Sequence, residues 1–196
     1  MVALRKPTHD AASFIDWYLR QPKEAGTCEL WDGEVVMHAG NTVGHADMKF
    51  DLVQALKNSI AKGRLPCRAY VDGPLVKISN ARVFQPDAIV VCGPPPPPET
   101  AVIDAPLIVC EVVSPSSFRR DHVNKVIAYF TLPSIMHYLI VDPAERHVVH
   151  HRRVQGSAHE TTIHTDGLLK LDPPNLEFDV AALFPPIPPT AAETIG

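Results

Sequence analysis

VFQPDAIVVC (residues 83–92) and LIVCEVV (residues 107–113) are the two segments that decide the fold of this 196-residue chain. Each is an apolar run of the length and composition typical of a buried β-strand. Each also contains one carboxylate, Asp87 in the first segment and Glu111 in the second. A charge is very costly to bury alone, so each carboxylate is predicted to be paired, neutralised or bound to a metal.

The two carboxylates can share one site if their strands are neighbours. Alternate side chains of a strand share a face, so Asp87 should face with Ile89, and Glu111 with Val109. Two carboxylates that meet form an oxygen site suited to Mg²⁺ or Mn²⁺, which activates water and stabilises charge on a phosphodiester. The alternative is that each acid pairs separately with a basic residue or reaches solvent at a strand end. Because costly buried groups concentrate at functional sites, we favour the shared site.

The flanking sequence adds helices and further strands. Helical spacing of apolar residues predicts helices over residues 10–19, 44–61 and 114–130. Alternating patterns predict a hairpin over 28–37, a strand pair or bent strand over 68–78, strands at 137–141 and 147–154, and a hairpin over 161–171. This order of elements predicts an α/β (α+β) fold, a mixed sheet with helices on its faces.

Composition and charge limit the class of protein. Hydrophobic residues make up 45% and charged residues 20% of the chain, as in globular proteins, and the net charge of −4 does not by itself indicate nucleic-acid binding. We expect one domain over residues 1–196, with a core at 28–155 and an N-terminal helix and proline-rich C-terminal tail as extensions. The chain contains no apolar run long enough for a bilayer and no apolar signal core at its start, so we expect a cytoplasmic protein.

Cysteine and histidine give little sign of a separate metal site. No two of the four cysteines form a C-x-x-C pair, and Cys92 and Cys110 lie in apolar runs, where we expect buried thiols. Neighbouring residues of a strand point to opposite faces, so His147, His150 and His151 are predicted to lie at the surface.

Lys125 is a third candidate for chemistry, in the helix that follows the Glu111 segment. A lysine near a metal site can orient the nucleophile and offset phosphate charge. The alternative is an exposed pair with Asp121, one helical turn earlier, and helical geometry favours it because Lys125 lies off the predicted apolar stripe. That stripe consists of Val123, Val126, Ile127 and Phe130.

Three further side chains have two interpretations each. His45, at the start of the second helix, is either a metal-adjacent or phosphate-contacting group or a histidine at the edge of the core, the commoner situation. Glu29 and Glu34 either complete the outer ligands of a metal or lie on a solvated hairpin face, the simpler interpretation.

The ordered pattern resembles a known family. It consists of CELWDGE (28–34), His45, QPDAIVV (85–91), CEVVSPS (110–116), Asp121, Lys125, Tyr129 and YLIVDP (138–143). In order and spacing this set is similar to the Uma-type restriction endonuclease family of the PD-(D/E)XK nuclease-like superfamily. The resemblance covers roughly residues 29–153.

The resemblance implies a restriction-endonuclease-like fold and Mg²⁺-dependent cleavage of DNA. Asp87 and Glu111 would then be catalytic metal ligands, and Glu29 and His45 would be supporting residues. The superfamily lysine two positions after the second acid is Val113 here, whereas the family places a lysine in the following helix, at Lys125. The resemblance therefore implies a catalytic role for Lys125.

Two hypotheses follow for the activity. The first is a Mg²⁺- or Mn²⁺-dependent DNA endonuclease, which is compatible with a homodimer because symmetric pairs are the commonest assemblies. The second is a catalytically weak or inactive module on the same fold that binds a nucleic acid or a protein. The sequence contains no G-x-S-x-G, H-E-x-x-H or P-loop motif that would indicate another small hydrolase.

Overall fold

The structure, a computed structural model, describes residues 9–21, 27–38, 42–72, 74–113, 119–156 and 158–184. The helices within these residues are α1 (Ala11–Leu19), α2 (Val43–Gly63), α3 (Arg119–Tyr129) and a 3₁₀-helix at Ala181–Leu183. The strands are β1 (Cys28–Trp31), β2 (Glu34–Met37), β3 (Cys67–Val71), β4 (Leu75–Ser79), β5 (Arg82–Phe84), β6 (Ala88–Cys92), β7 (Val102–Ile103), β8 (Ile108–Val112), β9 (His137–Asp142), β10 (His147–Gln155), β11 (Ala158–His164), β12 (Leu168–Leu171) and β13 (Leu176–Asp179).

A six-stranded sheet of order β11-β10-β9-β8-β6-β3 contains β6 from the Asp87 segment and β8 from the Glu111 segment. Its strands pair antiparallel except β8 and β9, which are parallel and are joined through α3, as parallel pairing requires. Ala88 of β6 pairs with Cys110 of β8, which confirms that the two segments are neighbours. Asp87 and Glu111 therefore lie at the same end of adjacent strands. The mixed fold with helices on the sheet confirms the predicted fold class.

A five-stranded sheet of order β2-β1-β5-β4-β7 packs against one face of the six-stranded sheet. It begins with the hairpin predicted at residues 28–37, in which Trp31 pairs with Glu34 across the Asp32-Gly33 turn. α1 covers its outer face, where Phe14 packs with Leu30 and Val83. Asp10 caps the start of α1 by accepting a hydrogen bond from the backbone N–H of Ser13.

α2 covers the opposite face of the six-stranded sheet together with the β12–β13 hairpin. The apolar stripe of α2 packs on strand residues such as Cys110, Leu139 and Val141. Thr42 caps the helix by accepting a hydrogen bond from the backbone N–H of His45. The cap fixes the first turn of α2 over the end of β8, where His45 lies.

Two predicted strand assignments are wrong because sequential strands enter different sheets. Residues 83–92 form two strands, β5 and β6, interrupted at Gln85-Pro86-Asp87, since proline has no N–H for a sheet ladder. Asp87 therefore immediately precedes β6. Residues 161–171 contribute to β11 and β12 and do not form a hairpin. Residues 68–78 form two strands, β3 and β4, as the predicted strand pair allows, but these two strands lie in different sheets.

The predicted apolar face of α3 is also wrong in part. Val126 and Phe130 are buried, but Val123 is 62% exposed and Ile127 is 60% exposed. The interior face of α3 contains Lys125 in their place. α3 therefore turns Lys125 rather than Val123 and Ile127 toward the interior, which apolar spacing alone does not predict. The start of the helix predicted at residues 114–117 lies outside the described residues.

The cysteine and histidine predictions need correction as well. Cys92 forms a disulfide with Cys67 across the β3–β6 pair, whereas Cys110 is a buried free thiol as predicted. His150 and His151 are both buried although neighbouring residues of a strand point to opposite faces, so β10 is covered on both faces at this point.

Among the described residues, the structure contains no helix both long and apolar enough to cross a membrane.

Candidate active site

Glu111 lies at the centre of a buried polar cluster, with its side chain directed from β8 toward α3. Its Oε1 accepts hydrogen bonds from Lys125 Nζ at 2.7 Å and from the Tyr129 hydroxyl at 3.0 Å. Lys125 and Tyr129 are one helical turn apart, so α3 presents both donors on one face. Among the described residues, both of these donors bind Oε1, and the second oxygen of Glu111 has no hydrogen-bond donor.

Lys125 joins the two sheets through a single ammonium group. Its Nζ lies 2.7 Å from Glu111 Oε1 and 2.9 Å from Glu29 Oε1. It also lies 5.6 Å from the centre of the Phe84 ring, within the range of a cation–π contact. The favoured interpretation of Lys125 as an exposed partner of Asp121 is therefore wrong, since the lysine is buried between two carboxylates.

Glu29 is the buried second partner of that lysine, at 1% exposure, so the expected solvated hairpin face is wrong for this residue. Its Oε1 also accepts the backbone N–H of Gln85 at 2.9 Å. Its Oε2 accepts Trp31 Nε1 at 3.0 Å and lies 3.1 Å from His38 Nε2. A carboxylate held by this many donors is fixed in position. Glu34, by contrast, is exposed.

Asp87 completes the predicted pair of acids at the start of β6. Its Oδ2 accepts the backbone N–H of Val112 at 2.7 Å, which ties it to the residue after Glu111. His45 Nε2 lies 3.7 Å from the same oxygen and donates a hydrogen bond to the Val112 carbonyl at 3.0 Å. The structure thus brings together the five residues predicted from the sequence: Glu29, His45, Asp87, Glu111 and Lys125.

Lys49 and Asp72 also belong to this cluster, although sequence reasoning missed them. Lys49 is 2% exposed, and its Nζ lies 2.7 Å from Asp72 Oδ1 and 3.4 Å from Asp87 Oδ1. The backbone N–H of Asp72 donates to the carbonyl of Asp87 at 3.1 Å. A signal for Lys49 existed, because it follows His45 by four residues and therefore shares its helix face.

Burial and charge shift the pKa values of the central groups in different directions. Burial raises the pKa of Glu111 to about 7; Lys125 opposes this shift, and the nearby charges of Asp87 and Glu29 add to it. Burial also acts to raise the pKa of Glu29, but the charges of Lys125 and His38 outweigh it and lower that pKa to about 2. The pKa of Lys125 is raised despite burial, because two carboxylates face it. Lys125 is therefore a permanent cation and hydrogen-bond donor rather than a base.

The donor set fits a hard divalent cation. The four acids Glu29, Asp72, Asp87 and Glu111 supply more carboxyl groups than Lys49 and Lys125 supply ammonium groups, and the imidazole of His38 lies beside Glu29. Carboxylate oxygens are the ligands that Mg²⁺ prefers, and Mg²⁺ commonly binds one or two carboxylates and keeps several waters. The described residues contain no cage of three or more acidic, cysteine or histidine ligands. Any cation here would thus depend on Asp87 and Glu111 together with water or substrate.

Comparison with known families gives a match over most of the chain. Residues 15–181 match the model of the family Uma2, described as "Putative restriction endonuclease". Two relatives come from the cyanobacterium Synechocystis. "Uncharacterized protein slr1290" is 24% identical over 91% of this chain and 92% of its own length. "Uncharacterized protein sll1609" is 26% identical over 70% of this chain and 78% of its own length.

A solved structure has the same fold. The crystal structure of a "putative nuclease belonging to DUF820" from Anabaena variabilis superposes with a TM-score of 0.70 at 18% identity. The match covers 87% of this chain and 96% of that protein. It shows that the arrangement of sheets and helices described above occurs in an experimental structure.

Proposed function

We propose that this chain, which belongs to the Uma2 restriction endonuclease family, is a metal-dependent endonuclease. In this proposal it hydrolyses phosphodiester bonds of DNA. The observation that supports this most directly is the arrangement of Asp87 and Glu111. They lie at the same end of adjacent strands, in a cluster that contains more carboxyl groups than ammonium groups. We further propose that residues 1–196 act as one domain and that two copies form a homodimer on a DNA duplex.

In this proposal Asp87 and Glu111 hold Mg²⁺ or Mn²⁺. When bound, the cation supplies positive charge that activates water and stabilises the phosphodiester as it is attacked. The hydrogen bond from the Val112 backbone holds the Asp87 carboxylate in place before any ligand arrives. The bonds from Lys125 and Tyr129 do the same for Glu111, so little reorganisation is needed at the reacting centre.

Lys125 is the proposed third catalytic residue. Among the described residues, two of its three ammonium hydrogens have acceptors, on Glu111 and Glu29, and we propose that the third donates to the attacking water or a phosphate oxygen. Glu29 supports this role by holding the ammonium from the opposite sheet. His45 supports the site from α2 by binding the Val112 carbonyl next to Glu111.

The test is cleavage of plasmid DNA and of RNA by the purified protein with Mg²⁺ or Mn²⁺. Asp87→Ala should reduce the cleavage rate by at least about 100-fold, because one of two metal ligands is lost. Asp51→Ala, which removes an exposed acid of α2, is the matched control and should cleave like the wild type. Absence of cleavage in the wild type, or equal cleavage by Asp87→Ala, would contradict the proposal.

A second candidate function is a weak or inactive module that binds a nucleic acid or a protein. The observation in its favour is that the Lys125 ammonium already neutralises an oxygen of Glu111, one of the two proposed metal ligands. Such a module would bind DNA or a protein partner, cleave nothing and show no uptake of Mn²⁺ that depends on Asp87. Metal titration of the wild type and of Asp87→Ala therefore separates the two candidates.

A further inference from the structure

Lys49 is a buried cation whose place in the fold is not explained by packing. It lies on the side of α2 that covers the six-stranded sheet, next to the buried residues Met48 and Leu52. An apolar residue would be the usual choice at such a position, because burying an ammonium group is costly unless it is paired. Lys49 is paired, and both of its partners are acids at the edge of the candidate active site.

The two contacts of Lys49 are unequal. Its Nζ lies 2.7 Å from Asp72 Oδ1, at hydrogen-bond distance, but 3.4 Å from Asp87 Oδ1. The side chain of Asp72 is 46% exposed, and it is the closer of the two acid partners of the ammonium. Asp72 thus holds the ammonium close to Asp87 but prevents full pairing with it. Lys49 therefore neutralises the Asp87 carboxylate only in part, and this carboxylate can still attract another cation.

We propose that Lys49 is a positioning residue that sets the affinity of Asp87 for a divalent cation, with Asp72 controlling how far the ammonium moves onto Asp87. The inference rests on the proposed function, because it assumes that Asp87 is a metal ligand. A cation that binds Asp87 competes with the Lys49 ammonium for the same carboxylate. Lys49 therefore weakens metal binding, and Asp72 relieves part of that weakening.

Substitutions at the two positions should change metal affinity in opposite directions. Lys49→Met keeps the length of the side chain and removes its charge, so Mn²⁺ should bind about tenfold tighter, as expected for loss of a charge a few ångströms away. Asp72→Asn leaves the ammonium with Asp87 as its only acid partner among the described residues, so Mn²⁺ should bind about tenfold more weakly. If Lys49 served only the stability of the fold, both substitutions would weaken binding together.

A double-substitution cycle separates the action of Lys49 from the simple loss of charge at Asp72. In the Lys49→Met background no ammonium remains to move onto Asp87. Asp72→Asn should therefore weaken Mn²⁺ binding less in that background than in the wild type. Lys49→Arg should stay within about twofold of the wild type because it keeps the charge. Lys57→Met removes an exposed lysine from the same helix and controls for net charge.

The experiment titrates each purified variant with Mn²⁺ alone and measures free Mn²⁺ by electron paramagnetic resonance, without nucleic acid. Circular dichroism confirms that each variant is folded. Tighter binding by Lys49→Met, together with a reduced effect of Asp72→Asn in that background, supports the inference. It is overturned if folded Lys49→Met binds no more tightly than Lys57→Met, or if Asp72→Asn has the same effect in both backgrounds.

The same titration distinguishes failure of this inference from failure of the proposed function. If the wild type binds Mn²⁺ through Asp87 but cleaves no nucleic acid, the nuclease proposal fails, and the result for Lys49 still decides the inference. If the wild type shows no uptake of Mn²⁺ that depends on Asp87, the metal assignment is wrong and the inference fails with it.

Discussion

Lys125 is the side chain that neutralises carboxylates from both sheets, and its burial has a direct energetic consequence. Removing one member of a buried ion pair leaves an uncompensated charge, which typically costs 3–5 kcal/mol. Here the loss of one ammonium would leave two buried acids, Glu29 and Glu111, without their shared cation. The stability of the fold and the geometry of the site therefore depend on the same group.

We predict that Lys125→Met lowers the free energy of unfolding by about 3–5 kcal/mol. The measurement is urea denaturation with EDTA present, so that no metal compensates for the missing charge. Lys57→Met, on the exposed face of α2, should change the free energy of unfolding by less than about 0.5 kcal/mol. Equal stability of Lys125→Met and the wild type would show that the two acids do not need this cation.

At the scale of residues, the sequence predicted which side chains the structure brings together better than it predicted the direction in which each one points. The acids Asp87 and Glu111 could be identified because charges in apolar runs are rare and costly. The burial of Glu29 and Lys125 could not be predicted from the spacing of their neighbours, since each is stabilised by a partner about a hundred positions away. Local periodicity contains no information about such a partner.

The connection from α3 to β9 is held by one arginine, which matters because α3 carries Lys125. Arg153 of β10 donates hydrogen bonds to the carbonyls of Ile135 at 2.7 Å, Phe130 at 3.0 Å and Leu132 at 2.7 Å. It also contacts the Gly156 carbonyl. The guanidinium thus donates to carbonyls of the segment that follows α3 and holds this segment against β10.

We predict that Arg153→Met destabilises the protein by roughly 2–4 kcal/mol, because several partly buried carbonyls lose their donor at once. The neighbouring Arg152 is the matched control. It forms an exposed pair with Glu160, so Arg152→Met should cost less than about 1 kcal/mol. Thermal and urea unfolding of both variants check the prediction, and equal effects of the two substitutions would contradict it.

At the scale of elements, the sequence predicted helices and individual strands more reliably than their partners. α2 and the first hairpin were predicted nearly to their ends, because their apolar spacing and the Asp32-Gly33 turn are strong local signals. The division of residues 83–92 and 161–171 between sheets could not be predicted. Side chains alternate between the two faces of a strand with the same period in every sheet. The hydrophobic pattern therefore does not distinguish the two strands of a hairpin from two strands that enter different sheets.

The molecule as a whole should be sensitive to acid because of buried histidines in the six-stranded sheet. Burial lowers the pKa of His137 to about 4, of His150 to about 3 and of His151 to about 4. His137 donates from Nε2 to the carbonyl of Pro173 and therefore accepts on Nδ1 from His150 Nε2. Adding a proton to both rings would place the N–H groups of His137 Nδ1 and His150 Nε2 against each other.

We predict that stability falls as the pH decreases from about 6.5 to 4, because the unfolded histidines bind protons in that range and the folded ones do not. Each such histidine lowers the free energy of unfolding by up to about 1.4 kcal/mol for every pH unit below about 6.5, and above pH 6.5 its effect does not change. Urea unfolding across this range should show a shallower decrease for His150→Gln than for the wild type. An identical pH dependence in both proteins would contradict the assignment.

The bridge formed by Lys125 also determines when the site can exist during synthesis of the chain. Glu29 leaves the ribosome many residues before Lys125, and the ammonium reaches its carboxylates only after α3 has been made and has docked between the two sheets. A translation product that ends before residue 125 thus lacks the cation that holds Glu29 and Glu111 together. Under the proposed function, such incomplete chains are inert toward nucleic acid.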